Sequence, residues 1–355
     1  MRVLVLTRYG NLGSSSRVRF YQYLPYLREH GIEITVAPLL DDDYIARLYS
    51  GEKTGFTSIL HAYAERFLWL MRVRKFDLIW LEKEILPWFP PVAEWLLNLL
   101  QIPYVVDYDD AVFHRYNQHP NRFIRFFLGR KIDHIMHMAS LVVTGNEYLK
   151  EWAVRSGSRK VEILPSVVNV HRYEPGRGAG KSTFRIGWIG SPVTAPFLSV
   201  IDEALRQASK FPGVEIVLIG AGVANPLPGI DVTLLPWNEG TEISLLAELD
   251  VGLMPLPDGP FERGKCGYKL IQYMAAGIPV IASPVGVNNQ IVIPGENGFL
   301  AGSTDEWVSA FHTFYDQPDK RIQMGAAGRK LAEKFYSLDV TAPRLLEILL
   351  QFQHG

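Results

Sequence analysis

The run 263–286, RGKCGYKLIQYMAAGIPVIASPVG, sets a glycine-broken turn, a cationic helix start and a buried strand in consecutive residues. Such an order can seat a diphosphate. Gly264 and Gly267 let the backbone approach a ligand, the following helix turns its unpaired N–H groups toward that turn, and Lys265 and Lys269 add full positive charge. Lys265, Lys269 and Gln272 stand at i, i+4 and i+7, which predicts one shared helical face, with Leu270, Ile271 and Met274 toward the core. The competing reading is a solvated surface carrying two lysines, and the run is not a Walker A pattern.

A second cluster is DYDD, in which Asp107, Asp109 and Asp110 follow a buried strand. Carboxylates in that position can hold hydroxyl groups, offset developing positive charge, or, for Asp109 and Asp110, act as a base. Acids in this pattern also suit a divalent metal, but no second ligand set accompanies them, and no metal is expected. His114 is the nearest histidine. Asn146 and Glu147, in the GNEYL turn, read either as site residues or as a helix N-cap followed by a first-turn acid.

The elements that must position these groups follow from the whole chain. At 355 residues it exceeds one ordinary core, so two domains are expected. Lys+Arg 36 against Asp+Glu 37 leaves no global field for nucleic acid, and anion recognition must be local. The single cysteine, Cys266, excludes an internal disulfide and fits a reducing compartment. MRVLVLTRYG reads as a strand entering a turn rather than a signal peptide, and no apolar run reaches the roughly 18 residues of a spanning helix. A cytoplasmic protein is expected, attached at most to a membrane surface. Aromatic residues cluster in 85–100 and again in 121–138, where Arg122, Arg125, Arg130 and Lys131 stand among Phe123, Phe126 and Phe127. That second pattern fits either an interfacial helix on an anionic membrane or an amphipathic helix closing its own core.

Short β-branched runs alternate with helix-length segments. Strands are predicted at 2–7, 33–37, 76–81, 103–107, 140–144 and 161–164, then at 184–190, 214–219, 231–235, 250–254, 278–282 and 298–301. Helical patterns fall at 17–30, 148–156, 198–210 and 268–276. The alternation implies an α/β chain with two parallel, doubly wound, Rossmann-like sheets covered on both faces. The expected divisions are a first domain 1–172, a proline- and glycine-rich linker 173–183, a second domain 184–339 and a closing helix 340–355. The strand ends of the two domains are expected to face each other across a cleft.

In order and spacing, FRIGWIGSP at 184–192, VEIVLIGAG at 214–222, DVGLMPLPDG at 250–259, the 263–286 run and PGENGFLA at 294–301 resemble the retaining family 4 glycosyltransferases of the GT-B fold. The first half is similar in organisation, with Gly10 and Gly13 after the first strand, VVDYDDAVF at 105–113, VVTGNEYL at 142–149 and ILPSVVN at 163–169. The resemblance implies a hexosyltransferase-type enzyme that moves sugar from a nucleotide-diphosphate donor to a hydroxyl on a glycan, lipid-linked or small-molecule acceptor, with retention by a front-face route; a covalent double displacement through Asp109 or Asp110 is the other route to retention. No cofactor is implied beyond the nucleotide sugar, and the last helix should cross back to the first domain. The alternatives are a nucleotide-sugar epimerase and a non-catalytic nucleotide-sugar binder.

Two departures from the family pattern matter. The paired glutamates of that pattern fall here on Gly264 and Gln272, with Glu262 two residues upstream, and Ser191, Pro192 and Thr194 stand where relatives often carry Arg and Lys. Phosphate charge is then left to Arg263, Lys265 and Lys269, with the Gly13 N–H and Arg17 from the first domain. Lys269 leads as the catalytic cation. Gln272, Trp237 and Asn238 are expected at the nucleoside, Glu262, Asn288 and Asn289 at the donor sugar, and Asp107, His114, Asn146 and Glu147 on the acceptor side. Trp188, inside a strand, is expected in the core.

Overall fold

The computed structural model describes residues 1–50, 55–174 and 183–353. Most of the expected linker, 175–182, lies outside them. The chain divides into two compact units: Met1–Ser166 with Arg263–Cys266 and Leu338–Gly355, and Val167–Glu262 with Gly267–Ser337.

In the first unit, β1 (Arg2–Leu6), β2 (Glu33–Val36), β3 (Leu78–Glu82), β4 (Tyr104–Tyr108), β5 (Leu141–Thr144) and β6 (Val161–Ile163) form a parallel sheet in the order β2-β1-β3-β4-β5-β6. Every residue of β3, β4 and β5 is buried, which is why these strands read as continuous apolar runs rather than alternating ones. The helix predicted over 17–30 is broken into Ser14–Arg19, a 3₁₀ turn at Tyr21–Tyr23 and Leu24–Glu29. Pro25 has no N–H to continue the ladder and is tolerated only in the first turn of the new helix. The closing helix, Leu338–Leu350, packs in this unit, with Tyr23 Oη 3.0 Å from Thr341 Oγ1 and with Ala342, Leu345 and Ile348 buried.

The second unit holds β7 (Phe184–Ile189), β8 (Val214–Ile219), β9 (Thr233–Leu235), β10 (Val251–Met254), β11 (Val280–Ala282) and β12 (Gly298–Leu300), again all parallel, in the order β12-β11-β10-β7-β8-β9. All the predicted strands form, each within two residues of its expected ends. The expected helix 198–210 is a 3₁₀ stretch, Ala195–Ile201, leading into Asp202–Ala208. In each sheet the first strand has later strands added on both sides, so the winding reverses between β1 and β3 and between β7 and β10. Ligands of open parallel sheets bind outside the carboxyl ends of the strands at such reversals.

One helix connects this topology to chemistry. Tyr268–Ala275 starts at Gly267, whose φ of 66° is the left-handed conformation that glycine takes without strain. Its buried residues Leu270, Ile271 and Met274 join the core, while the Tyr273 hydroxyl accepts from the Ile189 N–H at 2.9 Å and donates to the Leu253 carbonyl at 3.3 Å. The helix is thereby tied to the ends of β7 and β10. The ring fits because residue 252 is glycine: a Cβ there would lie 2.2 Å from a Tyr273 ring carbon. Gly252→Ala is expected to destabilise the protein by about 1–3 kcal/mol through overpacking, read as a lower urea midpoint; an unchanged midpoint would contradict this packing.

Candidate active site

Lys269 is the second residue of the Tyr268–Ala275 helix, one turn before Tyr273. Its ammonium lies 4.1 Å from the centroid of the Trp188 ring and 3.5 Å from Thr194 Oγ1. A Cβ on Gly190, the residue after β7, would stand 2.8 Å from it. The cation is therefore held at the open end of β7, on the reversal point of the second sheet. An aromatic face attracts an ammonium through its ring quadrupole and adds no compensating full charge of its own. Trp188 itself is buried, as its strand position implies. The loop beyond closes on itself, with the Ser191 N–H donating to Thr194 Oγ1 at 3.2 Å and the Thr194 N–H donating to the Ser191 carbonyl at 2.9 Å.

Gln272 and Trp237 meet at a residue the sequence did not single out. The Gln272 amide donates to Glu242 Oε1 at 2.8 Å and the Trp237 indole N–H donates to Glu242 Oε2 at 2.6 Å. Gln272 is buried, so in this arrangement its amide positions a carboxylate. Asn238 is exposed and its Oδ1 accepts from the Gly240 N–H at 2.8 Å, shaping the turn before Glu242. Asn288 is fully buried, its Nδ2 donating to the Ser283 carbonyl at 3.0 Å while its Oδ1 has no hydrogen-bond partner. Asn289 is exposed and donates to the Gly286 carbonyl at 3.3 Å; the helix carrying both is one turn, Asn288–Ile291. Glu262 is half-buried in the short helix Pro260–Arg263.

Lys265 does not share a face with Lys269. Gly267 turns the chain before the helix begins, and Arg263–Cys266 groups with the first unit. There, Asn146 Nδ2 donates to the Gly264 and Lys265 carbonyls at 3.0 Å each, the Cys266 thiol donates to the Asp109 carbonyl at 3.1 Å, and Lys265 Nζ lies 3.5 Å from Asp110 Oδ1. Gly264 is glycine because its backbone lies against Ala111: a Cβ would meet the Ala111 Cβ at 2.5 Å and its N at 2.9 Å. A glutamate at 264 has no room here. Arg263 is exposed.

The acidic run divides by burial. Asp107 is committed to Arg19, which donates to its two oxygens at 2.8 and 2.9 Å and to the Leu164 carbonyl at 2.7 Å. Both side chains are buried, so the expectation of Asp107 as an acceptor group gives way to a structural ion pair. Asp109 faces Lys83, with Oδ1 2.7 Å from Nζ, and accepts from the Ser15 hydroxyl. Burial alone would raise the Asp109 pKa, but the Lys83 ammonium and the Ser15 hydroxyl outweigh it and hold it down at about 2. Burial pulls Lys83 down, and Asp109 and Glu82 more than restore it, leaving it above its ordinary value. Lys83 also donates to Ser15 Oγ at 2.9 Å and has a left-handed φ of 63° at the end of β3, on the reversal point of the first sheet. Glu82 beside it accepts from the Arg8 N–H at 2.8 Å and the Ser16 hydroxyl at 2.6 Å.

The other first-unit candidates are placed by local bonding. The Gly13 N–H donates to the Gly10 carbonyl at 3.1 Å, and a Cβ on Gly13 would lie 2.4 Å from that of Tyr9, so this glycine serves a tight turn. Arg17, half-buried, reaches the Asn11 carbonyl at 3.5 Å. His114 Nδ1 lies 3.0 Å from Asn117 Oδ1 and Nε2 2.8 Å from the Tyr148 hydroxyl. Asn146 is the N-cap of Glu147–Arg155, and Glu147 is exposed, 3.4 Å from Lys150. Among the described residues no group of three or more His, Cys, Asp or Glu side chains is arranged to hold a metal ion.

Two doubly wound parallel sheets, each with charge gathered at its reversal point, define a GT-B fold. Residues 185–317, most of them in the second unit, match the family described as Glycosyl transferases group 1. The chain is 27% identical to a GDP-mannose-dependent monoacylated alpha-(1-6)-phosphatidylinositol monomannoside mannosyltransferase of Corynebacterium glutamicum, over 53% of this chain and 55% of that protein. It is 25% identical to a D-inositol 3-phosphate glycosyltransferase of Rhodococcus erythropolis, over 53% and 48%. The chain thus spans about half the length of the curated relatives it matches. In fold it is similar to sucrose-phosphate synthase from Thermosynechococcus elongatus (TM-score 0.73, 15% identity, 99% of this chain and 98% of that one). It is also similar to Anabaena Alr3699/HepE in complex with UDP and glucose (TM-score 0.72, 16% identity, 99% and 100%).

The Asp109–Lys83 pair makes stability pH-dependent. Because the Asp109 pKa is depressed on folding, its contribution is fully present above the ordinary carboxylate value and is lost as pH falls through about 2. Lys83→Met leaves that buried carboxylate without its cation, costing about 3 kcal/mol near neutrality, and the gap to wild type narrows as pH falls and the carboxylate is protonated. Urea unfolding followed across pH checks this; superimposable profiles for variant and wild type would contradict it.

Proposed function

We propose that this protein is a glycosyltransferase that moves a hexosyl group from a nucleotide-diphosphate sugar to an acceptor hydroxyl with retention of anomeric configuration. The observation that carries this reading is the Lys269 ammonium fixed over Trp188 at the end of β7. When the glycosyl–phosphate bond breaks, the departing diphosphate gains negative charge at its bridging oxygen. Lys269 and the first N–H groups of its helix receive that charge. The helix terminus alone contributes about 0.3–2 kcal/mol, short of the roughly 8 kcal/mol behind a millionfold acceleration, so the cation is needed. Glu242, held by Gln272 and Trp237, offers the nucleoside the carboxylate that position 272 lacks.

Retention by a front-face route is supported by the state of Asp109. A carboxylate with a pKa near 2, ion-paired to Lys83 and bonded to Ser15, is a weak base and is not free to swing as a nucleophile. In the front-face route the acceptor oxygen bonds to the anomeric carbon on the side from which the diphosphate leaves, and its proton passes to the leaving phosphate oxygen. No covalent glycosyl-enzyme forms. The mannosyltransferase relative uses GDP-mannose and HepE binds UDP and glucose, so both bases are worth assaying as donors.

Lys269→Ala is expected to lower turnover by about 10²–10³. Nucleotide diphosphate should be released from wild type in proportion to acceptor added, measured by a coupled phosphate assay. Undiminished turnover in the variant would unseat Lys269, and acceptor-independent interconversion of the donor would favour an epimerase.

A further inference from the structure

We propose that the first unit docks on an anionic lipid surface through the face carried by the helices Val92–Leu99 and Arg122–Leu128. On the second of these, Phe123, Phe126 and Phe127 are 75%, 82% and 69% exposed, and Leu128 is its one buried residue. On the first, Ala93 and Leu97 are buried, yet Val92, Trp95, Leu96 and Leu99 are exposed, so apolar residues stand on both sides of a surface helix. Apolar residues left exposed on a surface helix, beyond those that face its own core, mark a contact face.

The stretch leading into Val92–Leu99 joins the two. Trp88 and Phe89 are both about half exposed. Trp88 has a φ of 64°, a strained conformation for a bulky residue, and its ring stands edge-on to Tyr116 at 5.3 Å and to His119 at 5.8 Å, two residues before the N-cap of the phenylalanine helix. The strain is held from beneath. The Trp88 N–H donates to the Tyr116 hydroxyl at 3.1 Å, that hydroxyl donates to Glu84, and Lys131 donates to Glu84 at 2.6 Å and to the Leu86 carbonyl at 2.7 Å. A buried ion pair thus presents an indole outward on a fixed stem. Between Val92–Leu99 and Lys131–Met138 lies an apolar groove of about 380 Å³, lined by Pro91, Val92, Trp95, His134, His137 and Met138.

Charge selects the occupant. Between residues 86 and 138 every exposed Lys, Arg, Asp or Glu is an arginine: Arg115, Arg122, Arg125 and Arg130. Glu94 is buried, and Asp133 is half-buried 3.8 Å from Arg130. Arginines around phenylalanine and tryptophan match a bilayer interface bearing anionic headgroups. Contact is with the surface, since among the described residues no helix is long and apolar enough to cross a membrane.

Flotation of the full chain with phosphatidylcholine vesicles, with and without phosphatidylglycerol, tests this. Wild type should float with the anionic vesicles and much less with the neutral ones. Phe123→Ser combined with Phe126→Ser and Phe127→Ser should weaken binding ~10-fold or more, and Arg122→Glu with Arg130→Glu should erase the preference for phosphatidylglycerol. Brominated lipid should quench wild-type tryptophan fluorescence, and less so in Trp88→Phe/Trp95→Phe. These side chains are exposed, so circular dichroism should be unchanged. Failure of wild type to float, or undiminished flotation of the serine variant, would overturn the proposal. So would a dimer in sedimentation, abolished by the serines, in a protein that ignores vesicles: the face would then belong to a second copy.

Discussion

The Tyr273 hydroxyl, bonded at once to the last residue of β7 and to β10, is the constraint on which the second unit's chemistry depends. It fixes the helix at the one place in the sheet where the winding reverses, and Lys269, one turn earlier, is carried to the open end of β7. Three glycines make this geometry possible. Gly267 supplies the left-handed start, Gly252 leaves room for the ring, and Gly190 leaves room for the ammonium. Burial of Leu270, Ile271 and Met274 supplies the cohesion that holds the helix down.

The first unit solves a different problem at its own reversal point. Glu82, Lys83 and Asp109 are largely withdrawn from water, a state that is costly unless each charge is paired and hydrogen-bonded. The pairing is close enough to keep Asp109 ionised well below neutral pH. A fixed, weakly basic negative charge of that kind suits the proposed transfer, in which it would offset positive charge developing on a sugar ring. Arg19 and Asp107, deeper still, set the position of β4 and hence of Asp109 two residues on.

The fold was legible because parallel strands buried on both faces announce themselves as β-branched runs, and the runs at 184–189 and 214–219 could hardly be anything else. The helix at 268 was legible from its glycines and apolar spacing. Three features were not. Spacing alone put Lys265 on the face of Lys269, because the turn at Gly267 and the close contact of Gly264 with Ala111 are set by residues far away in sequence. Glu82 and Lys83 lie just past the strand predicted at 76–81 and carry no local signal, since Asp109, which pairs with Lys83, lies 26 residues further on. Glu242 gave no signal at all until Trp237 and Gln272 were seen to converge on it. Where a motif carries its own turn, sequence suffices; where a charge is buried by a distant partner, only the fold reveals it.

The most direct test of the central claim is a crystal structure with UDP or GDP bound. The diphosphate oxygens should lie within about 3 Å of Lys269 Nζ and of the first N–H groups of its helix, beyond the end of β7. A nucleotide lodged elsewhere, with Lys269 still resting over Trp188 and Thr194, would contradict the account.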